Sequence, residues 1–220
     1  MEPKTKPQFP DFFVDGIPQD QLFRLYGASN LRYYMKQVHD IRQGICPFCI
    51  IDTDLNQEIK GITSIHWRVW NNPIAPRSGQ DYQFVIPLRR HVERIAALTS
   101  GEMADLRGII SALDEKFRIT GGALLIRSGD PIRHSGSVPH LHANYHVPSG
   151  LDKVEITLAK APEKLRQKLA ILKIWERMRV AMEDQGVKSP ADMISLNIIS
   201  PDEYDLVKDK LGPPETAIKT

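Results

Sequence analysis

Three of the chain's seven histidines fall within seven residues, at His140, His142 and His146. Between Ser137 and Pro148 the residues alternate: Leu141, Ala143, Tyr145 and Val147 share one face, and His140, His142, Asn144 and His146 share the other. Strict period-two alternation is the mark of a half-buried strand. A polar face made mostly of imidazole is unusual for a strand that merely meets water. Neutral histidine can serve as nucleophile, proton carrier or metal ligand. The plain alternative is a surface strand carrying histidines by chance.

A second group with its own chemistry is Cys46-Pro47-Phe48-Cys49. A lone C-x-x-C knuckle is either half of a zinc site or a redox dithiol. Zinc needs two further ligands for a tetrahedron, and the chain has no second C-x-x-C, so histidines are the expected source. His91 and His140 border expected strands; spacing alone leaves His39, His66 and His134 open. His91-Val92-Glu93 has the H-x-E form of zinc nucleobase deaminases, but that chemistry needs its P-C-x-x-C afterwards, and here the cysteines come first. No G-x-x-x-x-G-K-[ST] and no G-x-G-x-x-G occurs, which leaves P-loop and dinucleotide-fold readings unsupported.

These groups must be carried by a framework. Residues 18–43 have apolar positions at helical spacing, with Gly27 an interruption. Ser64 to Trp70 alternates and is expected to be a strand, as is Tyr82 to Ile86, closed by Pro87. Thr99-Ser100-Gly101-Glu102 fits a capping box. After it, Met103, Leu106, Ile110, Leu113 and Phe117 form one stripe, and Gly121-Gly122 is the expected stop. Ala123 to Arg127 reads as a short strand, and Ser128 to Ser137 as a polar loop. Alternation on Val154, Ile156 and Leu158 gives a further strand, and Pro162 opens a long helix ending near Gly186. A segment around Met193 to Ile199 and a helix opened by Ser200-Pro201-Asp202-Glu203 complete the chain. Strands compatible with antiparallel pairing, with helices set apart, make the class α+β. The expected domains are an arm at 1–17, a main domain at 18–160 that includes the N-terminal helices, and a helical C-terminal extension at 161–220.

The 220 residues are 41% hydrophobic and 25% charged, as in an ordinary soluble globular protein. No apolar run of membrane length occurs, and Met1 to Pro10 has no signal core. A net charge of +2 argues neither for nor against a polyanion partner, and no nucleic acid is expected. Two cysteines three apart without a secretion signal favour a metal site and a cytoplasmic setting.

Ser137-x-Pro139-His140-x-His142, with Asn72-Pro73-Ile74-Ala75-Pro76, Pro87 and His91 upstream, resembles the histidine-triad superfamily over about residues 44–150. It is most similar to the branch of galactose-1-phosphate uridylyltransferases and dinucleoside-polyphosphate phosphorylases. The resemblance implies a HIT-like antiparallel sheet with flanking helices, and a structural zinc on Cys46, Cys49, His91 and His140. It implies His142 as the nucleophile on the α-phosphorus of a nucleotide, with hydrolysis or nucleotidyl transfer as the reaction. The family glutamine falls on Asn144, which cannot carry a proton; His146, four residues after His142 and on the same face, is the candidate substitute. Asn71, Asn72, Arg127, Gly129, Ser135 and Ser137 are the expected nucleotide-binding residues, with Arg133 and Gly136 nearby and the base near Trp70 or Ile74. The implied partner is a nucleotide substrate; a homodimer is compatible with it. Two rival classes are a nucleotide-binding module with little catalysis, suggested by Asn144, and a redox protein using Cys46 and Cys49.

Overall fold

The structure is a computed structural model that describes residues 12–50, 58–72, 79–129, 137–156, 158 and 162–211, with side chains from 166 onward in the last stretch. The expected turn at 53–57 and the positions Ile74, Arg133, His134, Ser135 and Gly136 lie outside the described residues. The class is α+β, with an antiparallel four-stranded sheet and flanking helices. The chain divides into two compact units: 45–159, and 1–44 together with 160–220. The N-terminal helices thus group with the C-terminal segment.

Unit 45–159 is built on strands β1 (Trp70–Asn71), β2 (Gln80–Pro87), β3 (Ala123–Arg127) and β4 (His142–Pro148). Their order is β1-β2-β4-β3, all antiparallel, so the histidine strand is central and paired on both sides. One sheet face is apolar. Phe84, Ile86, Leu141, Ala143, Tyr145 and Val147 bury themselves with Leu106, Ile109 and Leu113 of α2 (Ser100–Phe117). Burial of that face fixes the register of β4, because a slip of one residue would turn every histidine into the core.

α2 begins as expected. Thr99 accepts from the Glu102 backbone, and Glu102 reaches back to Thr99. The stripe differs slightly: Ile109 is buried, while Met103 is 42% exposed. The Trp67 indole donates to the Glu102 carbonyl at 2.8 Å. The helix ends earlier than Gly121-Gly122, with Arg118 in the left-handed region at φ 55°. Gly122 serves a close approach instead. A Cβ there would lie 2.6 Å from the Tyr145 ring.

Two expected strands are corrected. Ser64 to Trp70 yields only β1 and an isolated bridge from Trp67 to Leu88. The Ser64 hydroxyl accepts from the Trp67 backbone N–H at 2.8 Å and donates to Asp105 at 2.5 Å. That local bonding competes with a ladder, and Ile65 is 80% exposed. The run from Val154 to Leu158 forms no strand among the described residues. Alternation reports a covered face, and Leu158 is exposed; without a partner strand the backbone has no ladder to join.

In the other unit, a 3-10 helix (Gln19–Gly27), α1 (Leu31–Arg42), α3 (Pro162–Asp184), α4 (Pro190–Ser195) and α5 (Pro201–Val207) surround a core of Leu25, Tyr34, Val38, Leu172, Trp175 and Met178. The Ser200 capping box forms as expected. Phe12, Val14 and Ile17, inside the stretch read as an arm, are buried in this core. No described helix is long and apolar enough to cross a membrane.

Candidate metal centre and histidine face

The knuckle folds as a tight turn, in which the Cys49 and Ile50 N–H groups both donate to the Cys46 carbonyl, at 3.0 and 3.1 Å. Beyond β2, Leu88 N–H donates to the Leu141 carbonyl at 3.1 Å and Leu141 N–H to the Val92 carbonyl at 2.6 Å. This clasp sets His91 beside His140. The His140 Nε2 lies 2.7 Å from the Leu88 carbonyl. A carbonyl only accepts, so the proton is on Nε2 and the Nδ1 lone pair points the other way.

That lone pair meets Cys46 Sγ at 3.3 Å, Cys49 Sγ at 3.4 Å and His91 Nδ1 at 3.2 Å. Cys49 Sγ is 3.3 Å from His91 Nδ1. All four ligand atoms lie within 4.8 Å of one another, so the cluster could hold a metal ion. The spacing fits. A tetrahedron with metal–sulfur bonds of about 2.3 Å and metal–nitrogen bonds of about 2.0–2.1 Å has edges of roughly 3.3–3.8 Å between such atoms. Burial holds the His140 imidazole down to about 4, so it stays neutral and able to ligate. Burial and the neighbouring Cys46 thiol push Cys49 up to about 11, so a bound cation is what would draw off its proton.

The cross-strand register then places the remaining residues. His142 lies opposite Pro87 on one side and Arg127 on the other. Asn144 lies between Val85 and Leu125, and His146 between Gln83 and Ala123. Paired residues share a face, so Arg127 stands beside His142. The His142 Nδ1 donates to the His140 carbonyl at 2.7 Å, which leaves the lone pair of the neutral ring on Nε2. Phe48, carried by the cysteine knuckle, packs edge-on against His142 at 4.9 Å between centroids and against His140 at 5.7 Å. This face is more covered than a half-buried strand would be, since His140, His142 and His146 are all buried.

The other expected residues divide. Asn72 donates its backbone N–H to the Gln83 carbonyl at 2.8 Å, which continues the register and places it on the histidine face. Asn71 pairs with Phe84 and belongs to the opposite face, at an exposed position. Gly129, whose N–H donates to the Glu93 carbonyl, and Ser137 flank the stretch that holds Ser135. Residues not anticipated are Phe48, whose ring bridges the two histidines, and Gln80, whose Oε1 accepts from His146 Nδ1 at 2.9 Å.

No family model and no curated protein matches the chain. Among solved structures it is similar to a hypothetical protein from Leishmania major (14% identity, TM-score 0.38, covering 64% of this chain and 97% of that one). It is also similar to the NitFhit protein of C. elegans (19% identity, TM-score 0.31, 51% and 26%). A third likeness is to a hypothetical histidine triad nucleotide-binding protein from Sulfolobus tokodaii (13% identity, TM-score 0.34, 66% and 100%).

Proposed function

We propose that this chain is a nucleotidyl hydrolase or transferase that acts at the α-phosphate of a nucleotide through a covalent intermediate on His142. The chemistry is that of the uridylyltransferase and dinucleoside-polyphosphate phosphorylase kind. The observation that supports it most is His142 itself. Its Nδ1–H is tied to the His140 carbonyl just before β4, and Arg127 stands beside it across the sheet. A neutral imidazole can approach a phosphorus shielded by anionic oxygens, where a carboxylate would be repelled. Attack forms an N–P bond and breaks the bond to the leaving oxygen, which departs with the electron pair. Water or a phosphate acceptor then attacks the phosphoramidate and releases His142. Arg127, Asn72 and the backbone near Gly129 and Ser137 would balance the charge gathering on the phosphoryl oxygens.

Asn144 bears on the substrate. It can donate a hydrogen bond to a leaving oxygen but has no proton to give. A phosphate or sugar-phosphate leaves well as an anion; an amine does not. Dinucleoside polyphosphates and nucleotide sugars therefore suit this face better than nucleoside phosphoramidates. A zinc on Cys46, Cys49, His91 and His140 would be structural, because protein takes all four positions, and would anchor the knuckle that carries Phe48.

The test separates two neighbouring histidines about 6.6 Å apart along the chain. His142→Ala should keep the metal and the fold and lose turnover by a factor of at least ~10³. His140→Ala should lose metal and stability first. Wild-type turnover by His142→Ala removes this reading. Tight nucleoside monophosphate binding without any turnover replaces it with a binding module, which Asn144 already makes the nearest alternative.

A further inference from the structure

Strand β2 contains an irregularity whose effect is local and specific. Tyr82 pairs with Val147, yet Gln80 pairs with Pro148, so one extra residue, Asp81, sits on the β2 side. Simple alternation from Tyr82 would turn Gln80 toward α2. The bulge instead turns it to the face of His142, Asn144 and His146. There Gln80 is 8% exposed, and its carboxamide oxygen accepts from His146 Nδ1. Its Nε2 amide is buried with no hydrogen-bond partner among the described residues. A buried donor without an acceptor is disfavoured in a folded chain, and a bulge that places one beside a reactive strand calls for a ligand atom.

We propose that Gln80 and His146 form a second subsite, which reads the base of the nucleotide whose phosphorus lies at His142; this rests on the phosphoryl-transfer reading above. His146 is about 13 Å from His142 along β4, at roughly 3.3 Å per residue. It is too far to act on the same phosphorus, but a nucleoside 5′-phosphate bridges that length and a lone phosphate does not. The row between them suits a base: Asn144 is flanked by Val85 and Leu125, with Trp70 beyond Val85. The described groups at the far end, Gln80, Gln83 and His146, are carboxamides and an imidazole. A carboxamide donor in a buried setting favours a neutral acceptor, a keto oxygen or ring nitrogen of the base. Gln80 is then a specificity residue and His146 its partner.

The experiment is calorimetric binding of the four common nucleoside 5′-monophosphates and of ribose 5-phosphate, which lacks a base. Gln80→Glu keeps an acceptor for His146 and deletes the amide donor. Gln80→Met fills the same space with neither, and keeps the test open if a buried carboxylate unfolds the protein. Affinity for the best-bound nucleotide should fall about tenfold in each variant that folds, the scale of one lost hydrogen bond. Affinity for ribose 5-phosphate should change less than twofold. Equal losses for both ligands, or no loss for either, overturn the subsite. If nucleotide turnover depends on His142 while the Gln80 variants bind nucleotides as the wild type does, only the subsite falls. If the wild type binds neither probe, both readings fall.

Discussion

At the scale of single residues, two cysteines and two histidines bring four ligand atoms within 4.8 Å of one another. The His140 lone pair faces another ring nitrogen at 3.2 Å and two thiols. Metal analysis of reduced, freshly purified protein should find one zinc per chain, and Cys46→Ser should lower both metal content and melting temperature. Acid should act on the same residue. Burial lowers His140 from 6.5 to about 4, so above pH 6.5 both folded and unfolded chains hold it neutral. As the pH falls from 6.5 toward 4, the unfolded chain takes up a proton that the folded chain refuses, and stability is lost across that window. Melting of chelator-treated protein should show this slope, and His140→Gln should flatten it. The cysteine spacing and the alternating histidines could be read without coordinates because their types and intervals state their chemistry. Gln80 could not, because only the bulge at Asp81 brings it to the histidine face. Phe48 was visible only as a knuckle residue, since which ring it meets depends on β4.

At the scale of elements, α2 and the sheet hold the site through a few specific contacts. Gly122 passes against Tyr145, whose hydroxyl donates to Asp114 of α2 at 2.7 Å. Gly122→Ala should destabilise the protein by about 1–3 kcal/mol by pushing that ring, a loss that Tyr145→Phe would not reproduce, since it removes only the hydrogen bond. Chemical denaturation measures both. Arg90, next to His91, donates to both Glu102 oxygens, at 2.5 and 2.8 Å. It holds the Glu102 carboxyl down to about 2, from 4.5. That contribution is complete above the unfolded value of 4.5 and disappears as the pH falls through about 2. Glu102→Gln should cost about 1.5–3 kcal/mol at neutral pH, the scale of hydrogen bonds to a charged group, and should flatten the acid limb below pH 4.5. The capping boxes at Thr99 and Ser200 were readable because a cap is a local bargain among four residues. The strands expected at 64–70 and over Val154 to Leu158 do not form as read among the described residues, because alternation says nothing of whether a neighbour is present to complete the ladder; Ser64 spends its hydroxyl on local backbone instead.

At the scale of the whole molecule, the unit 45–159 contains the cysteine–histidine cluster, the histidine face and Gln80. The grouping of 1–44 with 160–220 could not be seen in the sequence, because apolar helical stripes such as Leu22–Leu25 and Leu172–Trp175 do not reveal which partner they bury against. Chelation should therefore raise hydrogen exchange first at 46–50 and 88–92, the two segments that deliver three of the four ligands. The central claim is that His142 becomes covalently nucleotidylated. Its most direct test is the intact mass of the full-length protein after brief incubation with dinucleoside polyphosphates and nucleotide sugars followed by a mild quench. The account predicts a species heavier by one nucleoside monophosphate residue, mapped to His142, and absent from a His142→Ala protein that still carries its metal. Turnover of those substrates with no such species at any time, or an adduct that persists in His142→Ala, would contradict it.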